Sequence, residues 1–144
     1  MSLRVFLEEK GFKRIRLQKI NSNHYQLAAK VNGVSGTFIL DTGASNSCIA
    51  LESVDYFKLQ TTESPVKAAG AGALNMETQL SEKNALQIAD WKKKRVDFVI
   101  FDMTHVNKAL QIAEAQSVHG ILGADILKPA RAIIDYGRNC LYLK

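Results

Sequence analysis

A chain of 144 residues with 47% apolar content is long enough to bury one core and too apolar to be disordered as a whole. Its formal charge of +5 is mild, permitting an acidic partner without specifying one. Two cysteines, Cys48 and Cys140, are too few for a disulfide framework, and His24, His105 and His119 stand at no ligand spacing to them, so no metal site is expected.

In chain order, Leu3, Phe6 and Leu7 have helical spacing, and Gly11 is placed to stop that helix. From Phe12 the pattern becomes a strand, with Ile15 and Leu17 alternating against Arg14, Arg16 and Gln18. These first 23 residues are expected to form a helix-and-strand extension ahead of a domain spanning 24–144. Strands around 24–31 and 34–40 flank Asn32-Gly33, the pair suited to a type I′ hairpin turn. A short helix is expected over "LESVDYFKL", after the loop "DTGASNSCIA".

Beyond Pro65, "VKAAGAGALNMETQL" reads as a second hairpin with its tip at Gly70–Gly72 and with Leu74, Met76, Thr78 and Leu80 on one face of the returning strand. Strands are expected to continue through "NALQIADW" and "RVDFVIF", followed by a helix in "THVNKALQIAEAQ". "VHGILGADILKP" reads as strand, glycine and a short helix ending near Pro129. "RAIIDY" and "CLYLK" form a last hairpin across 137–139. The sum is a mostly-β single domain with a few short helices, without repeats or linkers.

Two basic runs, one over 92–95 and one of Lys10, Lys13, Arg14, Arg16 and Lys19, lack interleaved aromatic residues for base stacking and read as solvated faces, so no nucleic acid partner is expected. No apolar run approaches the roughly 20 residues needed to span a bilayer, and the N-terminus lacks the apolar centre of a signal peptide. A cytoplasmic location is the expectation. "GAGALN" has Asn75 where a dinucleotide loop needs glycine, and no helical pattern follows it.

The chemistry concentrates in "FILDTGASNS". A carboxylate at the end of an apolar strand is costly unless something uses it. Thr42 offers a hydroxyl, Gly43 a place for the chain to turn, and Ala44 and Ser45 leave room for a substrate. Some 80 residues later, Ile121, Leu122 and Gly123 open a helix. Together the two stretches resemble the halves of a pepsin-type aspartic protease lobe. The single Asp-Thr-Gly in a chain of this length resembles the retropepsin-like family, in its cellular and bacterial branch, over roughly 25–143.

That resemblance implies a single-lobe closed β-barrel with a flap hairpin, Asp41 as the catalytic carboxylate and Thr42 as the interlocking threonine. It places the flap tip at Gly70, Ala71 and Gly72 and structural support at Ile121, Leu122 and Gly123. It further implies a homodimer hydrolysing peptide or protein substrates through a water activated by two Asp41 carboxylates, with no cofactor. Viral members carry arginine directly after the last glycine; here the position is Ala124, followed by Asp125. Asp135, in "IIDYG", makes a poor second catalytic loop and reads as a strand-end turn. An inactive relative used for dimerisation or peptide binding would keep the same motif and is the alternative reading.

Overall fold

The computed structural model describes residues 1–63 and 78–144. Helix α1 (Leu3–Glu9) starts where the Ser2 hydroxyl accepts the Val5 amide and ends at Gly11, whose φ of +92° only glycine adopts freely. Strand β1 (Lys13–Arg16) follows, then the short β2 (Gln18–Lys19). The first hairpin, β3 (Tyr25–Val31) and β4 (Val34–Leu40), closes across Asn32 and Gly33, both at positive φ, as the turn chemistry predicts.

After the loop that contains Asp41 come β5 (Cys48–Ala50) and a single 3₁₀ turn at Leu51–Ser53. The helix expected over 51–59 does not extend further. Phe57 turns inward onto Phe38, with ring centroids 5.9 Å apart, and Lys58 takes a φ of 59°.

Strand β6 (Thr62–Glu63) pairs antiparallel with the start of β7 (Gln79–Ile88). The expected hairpin tip at Gly70, Ala71 and Gly72, with Leu74 and Met76, lies outside the described residues. β7 and β8 (Trp91–Phe101) form one long hairpin. The chain then runs through α2 (Thr104–Ile112), β9 (Gly120–Leu122), the one-turn α3 (Ala124–Leu127), β10 (Ile133–Asp135) and β11 (Cys140–Leu143).

The pairings β3-β4-β9-β5-β8-β7 close through an extra β7–β3 contact, Val31 opposite Leu86, into a six-stranded barrel. Alternate residues of β3 point inward: Leu27, Ala29 and Val31 are buried while Ala28 and Lys30 are exposed. Phe38, Phe57, Phe98, Leu86, Ile88 and Leu122 fill the interior without measurable exposure beyond 1%. Each such side chain contributes about 1.5–3 kcal/mol by leaving water. A second cluster, with Ile39, Val99, Phe101, Met103 and Leu110, seals α2 to the outside of the barrel.

A separate three-stranded sheet, in the order β1-β11-β10, joins the two ends of the chain, with Lys13 opposite Leu143 and Arg16 opposite Cys140. α1 covers this sheet through Leu7, which packs with Phe12, Cys140 and Tyr142.

Candidate active site

Asp41 stands where β4 leaves the barrel, and its position follows from the strand that lies beside it. β9 runs parallel to β4, with Phe38, Ile39 and Leu40 opposite Gly120, Ile121 and Leu122, and antiparallel to β5 on its other side. The later apolar strand therefore sits between the two strands that bracket the Asp41 loop. The Asp41 amide donates to the Leu122 carbonyl at 3.0 Å, which continues the ladder one residue past β4.

Three further bonds shape the loop. The Gly43 amide donates to Asp41 Oδ1 at 2.9 Å, the Ala44 amide to the Asp41 carbonyl at 3.2 Å, and the Ala124 amide to the Ala44 carbonyl at 2.7 Å. This contact explains Gly123, since a Cβ there would lie 2.5 Å from the Ala44 carbonyl oxygen. Gly120 is under the same constraint, with the Cys48 carbonyl oxygen 2.3 Å from where its Cβ would be. Gly43 is different. A Cβ on it meets Asp41 Oδ1 at 3.4 Å, an ordinary contact, so nothing among the described residues demands glycine there.

The structure thus brings Asp41, Thr42, Gly43, Ala44 and Ser45 together with Ile121, Leu122 and Gly123. Asp41 and Ala44 are half-buried, Thr42, Gly43 and Ser45 are exposed, and Ile121, Leu122 and Gly123 are buried. Beside the loop runs an open groove of about 370 Å³, whose walls include Thr42, Ala124, Leu127, Arg131, Ala132 and Ile134.

The residues that hold the loop, and the strand β4 that leads into it, include two that the motif reading did not single out for this task. The fully buried Ser47 donates its amide to both Asp125 carboxylate oxygens at 2.9 Å and its hydroxyl to Oδ1 at 2.6 Å. Its hydroxyl oxygen accepts the Gly123 amide at 2.8 Å. Asp125, read from sequence only as a favourable charge in a first helical turn, therefore ties the loop to β9 and α3.

His119 is the second. Its Nδ1 accepts the Thr37 amide at 3.0 Å, and its ring stacks on Tyr56 with centroids 5.0 Å apart. Burial lowers its pKa below the usual 6.5, consistent with a neutral ring that accepts at Nδ1.

Asp135 closes its own turn by accepting the Arg138 amide at 3.2 Å, as a strand-end turn predicts. Burial, then the Asp125 and Asp41 charges, push the Cys48 thiol up to about 12, so it is no nucleophile at neutral pH. Among the described residues, no group of three or more His, Cys, Asp or Glu is placed to hold a metal ion.

Residues 27–126 match the family model for aspartyl proteases. The fold is similar to a retropepsin-like aspartic protease from Rickettsia conorii, with a TM-score of 0.59 at 19% identity, over 92% of this chain and 91% of that one. It is similar as well to the EIAV protease complexed with the inhibitor HBY-793, with a TM-score of 0.58 at 20% identity over 76% of this chain and 90% of that one. The retroviral protease-like domain of Ddi1 from Leishmania major gives 0.57 at 18% identity over 83% of this chain and 86% of that one. No curated protein matches the chain.

Proposed function

The chain belongs to the aspartyl protease family, and from that premise we propose that it is an aspartic endopeptidase, active as a homodimer in which each copy contributes Asp41. The observation that carries this reading is the held but half-complete loop. Asp41 is fixed by the Leu122 carbonyl and the Gly43 amide, while Thr42 and Gly43, next to it, face outward. The sequence contains one Asp-Thr-Gly, so a second carboxylate has to come from a second copy.

Three features support a second copy on this face. Thr42 is exposed and free to interlock with its counterpart. Gly43 is exposed and, among the described residues, meets no backbone at its Cβ position, which suits the close approach of another loop. Among the described residues β10 is the last strand of the β1-β11-β10 sheet, which suits its outer edge to pairing, and its Ile134 lines the same groove as Thr42. The dimer is isologous, with the same patch on both copies. With Ala124 in place of the viral arginine, it is weaker than the viral type.

The chemistry follows from two carboxylates in contact. Both cannot ionise, so the pair holds one proton. The ionised carboxylate takes a proton from a bound water as its oxygen attacks the scissile carbonyl carbon. The protonated partner gives its proton to the carbonyl oxygen, producing a gem-diol without an acyl-enzyme. Return of a proton to the amide nitrogen then breaks the C–N bond and leaves a carboxyl and an amine. Small residues after Asp41 leave space for the peptide and the water. Activity falls on the alkaline side, where the shared proton is lost and two negative charges repel.

The test is solution mass with and without a transition-state mimic for aspartic proteases, together with cleavage of a denatured protein. Dimerisation strengthened by the mimic, with cleavage, is expected. A monomer at all concentrations, or a dimer that binds the mimic and cleaves nothing, contradicts the proposal; the latter outcome favours a peptide-binding relative.

A further inference from the structure

Lysines gather along two adjoining clefts of the barrel. Lys13, Lys92, Lys93 and Lys144 line an open cleft of about 450 Å³ together with Gly11 and Trp91. A second cleft of about 280 Å³ shares Lys92 and Lys93 and adds Lys30 and Lys94. Because the lysine pair is common to both, the two clefts adjoin, with six lysines and Asp90 among their lining residues.

The fold fixes this arrangement. Lys30 is opposite Gln87 in the β3–β7 pairing, and Gln87 is opposite Lys92 in the β7–β8 pairing. The Trp91 ring N–H donates to the Lys144 carbonyl at 3.3 Å, and the Lys144 amide donates to the Ala130 carbonyl at 2.8 Å. Among the described residues, the ion pair that forms is Arg4 with Glu8, and none of these lysines takes part in one. Uncompensated like charges held together on a rigid surface repel one another, and a polyanion relieves that repulsion.

Next to these clefts stands an apolar face that, among the described residues, is only partly covered. In α1, Leu3, Phe6, Leu7 and Lys10 fall on one side at helical spacing, and Glu8 and Glu9 fall on the other. Leu7 is buried against the sheet, but Leu3 and Phe6 remain 48% and 47% exposed, and Met1 is 87% exposed. Lys10 lies over the Phe6 ring at 5.5 Å. The helix runs out at Gly11, on the rim of the first lysine cleft, where Lys144 comes within 3.7 Å of the glycine's Cβ position. Apolar side chains and lysines therefore adjoin.

We propose that these clefts and α1 dock on an anionic lipid surface, with the lysines against the head groups and Leu3 and Phe6 inserted at the acyl boundary. Each element has the matching chemistry: lysine clusters are drawn to acidic head groups, and exposed apolar side chains leave water on insertion. A nucleic acid fits less well. Trp91, the aromatic residue of the cleft, is buried with its N–H committed, and Leu3 and Met1 would remain in water. The seven residues of β4 separate Gly33, in the second cleft, from Asp41 and put about 20 Å between them. The second cleft thus lies clear of the Asp41 loop, and the inference holds whether or not the chain cleaves peptides.

The test is flotation of the full chain with phosphatidylcholine vesicles that contain or lack phosphatidylserine, at low and raised salt. Binding to the phosphatidylserine vesicles that salt weakens is expected, with background binding to phosphatidylcholine alone. Lys92→Glu/Lys93→Glu lowers partitioning by at least about 30-fold. Leu3→Ser/Phe6→Ser lowers it by about tenfold. These positions are exposed or half-exposed, so both variants keep the wild-type melting temperature. Equal capture by the two vesicle types, or full binding by either double variant, overturns the proposal. So does background vesicle binding accompanied by salt-dependent binding to a duplex oligonucleotide.

Discussion

The Ser47 hydroxyl donates to Asp125 at 2.6 Å and accepts the Gly123 amide at 2.8 Å, so one buried oxygen joins residues 78 positions apart. Through it the Asp41 loop, β9 and α3 form one rigid unit. Ser47→Ala leaves the buried Gly123 amide without its partner and removes a charge-assisted bond from Asp125. A loss of about 1–3 kcal/mol is expected in urea unfolding. Asp125→Ala strips Ser47 of the same support, so the double variant costs less than the sum of the singles. Strict additivity would show that the two side chains act independently.

Gly123→Ala places a methyl group 2.5 Å from a backbone carbonyl that cannot swing away. It should destabilise the chain by about 1–3 kcal/mol or more, since overpacking at a fixed backbone has few outlets. Gly43→Ala should be mild in the monomer, where the added Cβ meets an ordinary contact at 3.4 Å. It should weaken dimerisation much more than monomer stability. Thermal melts set beside sedimentation at matched concentrations separate the two effects.

His119 gives the fold a pH dependence of known sign. Burial lowers its pKa in the folded state from the usual 6.5, so the unfolded chain takes up the proton first on acidification. The contribution is complete above about pH 6.5 and is lost as the pH falls from there toward the folded value. Protonation also removes the acceptor for the Thr37 amide. The melting temperature of the wild type should drop below about pH 6.5, and His119→Gln should lack that component of the slope. An unchanged slope in the variant would assign the acid sensitivity to other groups.

Cys48 and Cys140 are both buried. With the Cys48 thiol pushed up to about 12 and donating to the Asn46 carbonyl at 3.2 Å, small alkylating reagents should leave it untouched at neutral pH. Labelling followed by mass spectrometry should show modification only on denaturation. Rapid native labelling of Cys48 would mean that the Asp41 loop opens locally.

Much of the fold was legible where a short pattern has one physical solution. Asn32-Gly33 specified a turn with two positive φ angles, and "FILDTGAS" with "ILG" specified two elements of the barrel. The rest depended on partners far apart in sequence. Nothing local to Ser47 announces Asp125, and nothing in "VHG" shows that His119 will accept the Thr37 amide. The pairing of β1 with β11 joins opposite ends of the chain. The helix expected over 51–59 failed because Phe57 is drawn into the barrel, a tertiary demand that outweighs local propensity. Gly123 was recognised by motif, but its reason, the Ala44 carbonyl, appears only in three dimensions.

The central claim is that two Asp41 side chains, one from each copy, form a single catalytic site. It is tested most directly by titrating wild-type chain with Asp41→Asn and following cleavage of a denatured protein. The variant keeps the shape of the loop but cannot take the proton from water, so alone it should be inactive. General acid–base catalysis is worth about 10²–10⁴-fold, and at least that much should be lost. In mixtures, activity should fall with the square of the wild-type fraction, because mixed dimers carry one carboxylate. A variant as active as wild type, or an activity that falls only in proportion to the wild-type chain present, would contradict the shared site.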